Sequence, residues 1–141
     1  MFESINLFIR RIGLGLSQRE LGALLTPPTT QIVVSHWETG THKPRDPLSI
    51  DRDLREYEAR FLSLVDELLS VAEDEEKLVD SSSVVYPMYA TQTEYEIHCP
   101  YAQAIPCLSM YRLAVAQAAM IVRNEGQEAR VELIGSEGEQ E

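Results

Sequence analysis

Cysteine is scarce in this chain. Cys99 and Cys107 are too few for the disulfide framework of a small secreted domain, so a reduced, cytoplasmic chain is expected. No apolar run approaches the roughly 20 residues that span a bilayer, and no membrane partner is expected. The opening Met1-Phe2-Glu3-Ser4 lacks the basic and then apolar stretches of a signal peptide. There is no P-loop, no dinucleotide fingerprint and no nucleophile elbow. Ser35 and His36 are neighbours on one helix, so their side chains diverge and make no nucleophile–base pair. His98, Cys99 and Cys107 are one ligand short of a structural zinc set and have unfamiliar spacing. The expectation is therefore no metal, no cofactor and no enzymatic activity. Positive charge is scarce too: 12 Lys and Arg stand against 23 Asp and Glu in 141 residues, a formal net charge of −11. That total argues against a surface coated for unselective binding to nucleic acid or membrane.

The charge that is present is unevenly placed. Residues 1–47 carry Arg10, Arg11, Arg19, Lys43 and Arg45 against Glu3, Glu20, Glu38 and Asp46, a net of +1. The rest of the chain carries −12. Such asymmetry points to two modules with different partners. Hydrophobic residues make up 44% and charged residues 25%, an ordinary globular composition with a core for one domain or two small ones.

Residues 3–14 place Ile5, Phe8, Ile9 and Ile12 on one face of a helix, with Gly13 and Gly15 where it should end. Ser17-Gln18-Arg19-Glu20 has the form of a capping box. The helix it opens runs through Leu21, Leu24 and Leu25 and stops at Thr26-Pro27-Pro28, because proline cannot continue it. Thr29 or Thr30 then caps a third short helix, 31–38, closed by Thr39-Gly40. The segment from His42 to Pro47, with two prolines, reads as a linker.

Asp51 should cap a long helix reaching about residue 73. Leu54, Tyr57, Phe61, Leu64, Leu68 and Val71 form a heptad stripe on it, with Leu62, Val65, Leu69 and Ala72 beside them. So wide an apolar face either covers one core or packs at once on its own domain and a second subunit. The acidic run 73–76 and the polar stretch 80–83 mark a boundary. Residues 84–89 read as a short strand that Pro87 pushes toward an edge. A short helix over 91–97 follows, with Thr91 and Glu94 in capping-box spacing. Residues 107–123 form a helix apolar almost all round, hence buried or at an interface. Residues 129–134 read as a last strand. No internal repeat or low-complexity tract is visible.

Taken together, Leu16-Ser17-Gln18-Arg19-Glu20-Leu21-Gly22, then Val34-Ser35-His36-Trp37-Glu38-Thr39-Gly40, then Lys43-Pro44 resemble a helix-turn-helix of the Cro/C1 (xenobiotic-response-element) class of phage and bacterial repressors. In that family the first piece opens the supporting helix and the second closes the recognition helix. Helices that cross closely need a small residue at the contact; Gly22 stands where alanine is commoner in the family. The turn Thr26-Pro27-Pro28-Thr29 is longer than the family's usual tight one. Val84-Val85-Tyr86 with Leu108-Ser109-Met110-Tyr111-Arg112-Leu113-Ala114-Val115-Ala116 further resembles the anti-CRISPR-associated autorepressors.

The resemblance implies a mainly α fold. It consists of an N-terminal, lambda-repressor-like helix-turn-helix bundle (1–47), a long connecting helix (48–76), a small α+β dimerisation region (77–135) and a flexible tail (136–141). It implies a cytoplasmic, nucleoid-associated repressor that binds double-stranded DNA as a homodimer on a palindromic operator, with autoregulation. Gln18 would bond a phosphate. Thr30, Gln31, Ile32, Ser35 and His36 would face the major groove, Gln31 suited to adenine and Ile32 to a thymine methyl. Arg19, Lys43 and Arg45 are phosphate candidates, with Arg10 and Arg11 as further ones. Val34 and Trp37 would pack beneath the supporting helix, and Leu64, Leu68, Tyr86, Tyr111 and Val115 would serve dimerisation. The competing reading is an antitoxin or protein-interaction module, in which the helix-turn-helix is kept and the acidic C-terminal part engages another protein.

Overall fold

The structure, a computed structural model, describes residues 3–79 and 83–134. Among these it has six helices, α1 (Ser4–Gly13), α2 (Gln18–Leu24), α3 (Gln31–Thr39), α4 (Pro47–Val79), α5 (Gln92–His98) and α6 (Leu108–Asn124). Two strands, β1 (Ser83–Tyr89) and β2 (Glu128–Ile134), form a parallel two-stranded sheet. The protein is thus mainly helical with one small sheet. It divides into two compact units, Met1–Ala59 and Arg60–Glu141, and the division falls inside α4. Residues 48–76, expected as a connector, therefore contribute to both.

In the first unit, α1 ends through the Leu14 cap and Gly15, whose φ of +74° suits glycine. The face turned inward is not the apolar stripe read from the sequence. Leu7, Arg11 and Leu14 are buried, while Phe8, Ile9 and Ile12 are exposed. The cause is Arg11, a charge that hydrophobic periodicity counts as outward but that finds a carboxylate inside. At α2 both halves of the capping box form: Ser17 Oγ accepts from the Glu20 amide at 3.0 Å, and Glu20 Oε1 accepts from the Ser17 amide at 2.9 Å. Gly22 is required by the turn after α2. A Cβ there would lie 2.5 Å from the Thr29 carbonyl oxygen, and the Thr29 amide donates to the Gly22 carbonyl at 2.8 Å. The close approach assigned from sequence to a helix crossing is thus made by the turn backbone. Thr30 is the residue that caps α3, accepting from the Val33 amide at 3.3 Å, and Gly40 closes the helix at a φ of +81°.

The long helix starts earlier and ends later than the sequence suggests. Asp46 Oδ1 accepts from the Ser49 amide at 3.2 Å, and Pro47 occupies the first turn, where a missing amide hydrogen costs nothing. At its other end α4 runs on through the acidic residues 73–76, so that stretch is not a boundary. Residues 80–82, the rest of the expected boundary, and the tail 136–141 lie outside the described residues. Arg10 fastens α1 to the first part of α4 through Asp51 at 2.8 Å and Glu58 at 2.9 Å. Arg55, then Arg10, hold the Asp51 carboxyl below its ordinary titration range by hydrogen bonding.

The second unit packs Phe61, Leu64, Val65, Leu68 and Ala72 of α4 into a core with β1 and α6 residues such as Val84, Tyr86, Ala114, Val115 and Ala118. Leu62, on the second stripe, stays outside. Small Ala114 and Ala118 leave room for rings. Tyr89, Tyr95 and Tyr111 stack with centroids 5.4–5.6 Å apart. Their hydroxyls are placed as carefully as their rings: Tyr111 donates to the Pro87 carbonyl at 2.6 Å, Tyr95 to that of Ile105 and Tyr86 to that of Leu68 at 2.8 Å. Desolvation raises all these phenols, Tyr86 to about 12.

Candidate nucleic-acid interface

The residues singled out from the sequence in the first unit stand on a frame built around one ion pair. Arg11 donates from Nε to Glu38 Oε2 at 2.6 Å, from Nη2 to Glu38 Oε1 at 3.0 Å and from Nη1 to the Leu16 carbonyl at 2.8 Å. Gln18 Nε2 adds a bond to Glu38 Oε1 at 3.0 Å. Three donor nitrogens, two from Arg11 on α1 and one from Gln18 at the start of α2, thus converge on one carboxylate of α3, while the remaining Arg11 nitrogen holds the loop before α2. Gln18, expected to reach out to a phosphate, has its amide nitrogen turned to Glu38 instead. Sequence reasoning missed Arg11 and Glu38 as partners because 27 positions separate them and no local spacing links them.

With Glu38 and fully buried Val34 facing inward, helical periodicity turns the opposite side of α3 outward. Thr30 and Gln31 are exposed, and so is Ile32 at 67%. Ser35 and His36 are half-buried on the same helix. The His36 ring lies 4.9 Å from that of His42, so it has a protein neighbour of its own. Trp37, expected in the core beside Val34, is only half-buried. It lines an open cavity of about 400 Å³ together with Pro27, Pro28, Val33, Lys43 and Arg45.

The charges separate into two groups. Arg10, Arg11, Arg52 and Arg55 each pair with a carboxylate of their own unit. Arg19, Lys43 and Arg45 are exposed and make no hydrogen bond or ion pair among the described residues. Arg10 and Arg11, further phosphate candidates in the sequence, are thereby committed internally. The three cations left over are the ones the sequence pattern singled out.

The residues expected at a dimer contact have a different setting. Leu64, Leu68, Tyr86, Tyr111 and Val115 are all buried in the core of the second unit, so they have no surface to offer a second copy. Among the described residues no group of three or more His, Cys, Asp or Glu is placed to hold a metal, and no helix is long and apolar enough to cross a membrane. No protein-family model and no curated protein matches this chain.

Proposed function

We propose that the protein is a sequence-specific DNA-binding transcriptional repressor of the Cro/C1 type, acting as a homodimer on an inverted-repeat operator. The observation that carries this reading is the division of charge in the first unit. Four of its arginines pair with carboxylates of the same unit, and the three cations without partners among the described residues, Arg19, Lys43 and Arg45, are the ones read from the sequence as phosphate candidates. In this reading α2 supports and α3 recognises. Gln31 is suited to a bidentate pair with adenine, Ile32 to a thymine methyl, and Ser35 to either base type. Thr30 and His36 flank them. Gln18 acts through Glu38, fixing α2 against α3 so that the reading side chains keep one register.

Electrophoretic mobility shifts on inverted repeats near the protein's own gene test this. Retention of one repeat at low salt, with half-sites about 34 Å apart, is expected. Retention of none would overturn the reading. The competing reading, an acidic second unit that holds another protein, draws on Met120 and Ile97, both 66% exposed. Stoichiometric co-purification of a second chain, with no operator retained, would favour it.

A further inference from the structure

The two edges of the sheet in the second unit are treated differently. On β1 the outer edge is closed. Pro87 has no amide hydrogen to offer, its carbonyl accepts from the Tyr111 hydroxyl at 2.6 Å, and the Tyr89 carbonyl accepts from Arg112 Nη2 at 3.3 Å. On β2 nothing comparable is present. It contains no proline, and among the described residues its backbone pairs with β1 alone. Such an edge is a template for another strand.

The side chains of β2 point the same way. Val131 and Leu133 are 55% and 53% exposed, although they share the sheet face of Tyr86 and Met88, their partners in register. On the opposite face Arg130 and Glu132 are exposed and make no hydrogen bond or ion pair among the described residues.

We infer that the open edge of β2 is the docking surface for a second copy of this chain, pairing antiparallel with the same strand about a two-fold axis at Val131. The charges specify that register. With the axis at Val131, Arg130 faces the second copy's Glu132 and Glu132 faces its Arg130. All seven residues of β2 are then paired. An axis at Arg130 or at Glu132 sets like charges against each other. On the other face Val131 meets its own copy and Leu133 meets Ala129, covering the apolar side chains left exposed. The product is a four-stranded sheet, β1-β2-β2-β1, whose two outer edges are the closed ones. An isologous contact of this kind ends assembly at two.

The inference rests on the homodimer of the proposed function, and the test separates the two. Sedimentation of the full chain over a range of concentrations gives the dimer dissociation constant. Arg130→Glu and Glu132→Arg should each raise it about tenfold, because every mispaired contact occurs twice across the axis. The double variant should restore it. In parallel, Val131→Cys should form an intersubunit disulfide on mild oxidation, since directly opposed strand residues lie within the span of a disulfide. Leu133→Cys, displaced from its own copy, should not. A dimer insensitive to both charge reversals, with no link at Val131→Cys, overturns the strand edge and leaves the operator reading standing. A chain monomeric at every concentration overturns the homodimer as well.

Discussion

Arg11 and Glu38 meet in a two-pronged ion pair inside the first unit, their side chains only 9% and 4% exposed. A pair so shielded from water stabilises mainly against its own disruption. Removing one partner strands the other, whereas replacing both with apolar groups can be nearly neutral. The pair also positions Gln18 at the start of α2, so it sets the relation between the two helices proposed to face DNA.

Arg11→Met should therefore destabilise the first unit by about 3–5 kcal/mol, leaving Glu38 buried without a counter-charge. The double variant Arg11→Met/Glu38→Leu should recover much of that loss. Trp37 is the only tryptophan and belongs to the first unit, so urea unfolding followed by its fluorescence reads this unit directly. A loss in Arg11→Met well below 1 kcal/mol would show the pair to be peripheral.

Gly22→Ala sets two effects against each other. Alanine improves helix propensity by about 1 kcal/mol. Its Cβ would sit 2.5 Å from the Thr29 carbonyl oxygen, a backbone atom that cannot swing aside. Overpacking of this kind costs about 1–3 kcal/mol, so the variant should be net less stable by Trp37 fluorescence. A gain in stability would contradict the close approach.

DNA binding should respond differently to two classes of change. Lys43→Ala or Arg19→Ala should weaken all sequences alike and lower the slope of log affinity against log salt by about 1 for each half-site. Gln31→Ala should leave that slope unchanged and relax base preference at one position, measured by competition among operator variants. Identical behaviour of the two classes would remove the distinction between positioning and reading.

The tyrosine cluster predicts alkaline behaviour. Burial favours the neutral phenol in the folded state, with Tyr86 raised to about 12 and Tyr89, Tyr95 and Tyr111 higher still. The folded state then holds protons that the unfolded chain releases near pH 10, so this contribution is complete below about pH 10 and is lost as the pH rises above it. Absorbance at 295 nm at pH 11 should show fewer phenolates in the native protein than in guanidinium. Equal phenolate content would show the cluster to be open to solvent.

Much of the fold was legible in the sequence because its signals are local. The Ser17–Glu20 box, the Thr30 cap, the Gly40 terminus and the alternation of β1 each depend on residues within a few positions of one another. What was not legible depends on distance. The inward face of α1 is decided by Glu38, far along the chain, and the early start of α4 by an Asp46 carboxylate ahead of a proline taken for a linker. The same reason explains the site. The exposure of Gln31 and Ile32 follows from helical periodicity, whereas the capture of Gln18 by Glu38 and the half-buried place of Trp37 follow from tertiary contacts. The tyrosines and leucines expected at a dimer contact show the converse. An apolar stripe identifies what is covered but not whether the cover is the same chain or another.

The contact between Gly22 and Thr29 has a consequence for inheritance. Helix α2 and the prolyl turn are tied through one backbone approach that leaves no room for a methyl group, so the long turn and the glycine form one unit of change. A lineage that shortens the Thr26-Pro27-Pro28-Thr29 turn is freed to take alanine at this position. One that keeps the turn is held to glycine. The glycine and the long turn are thus one structural commitment held by a single contact.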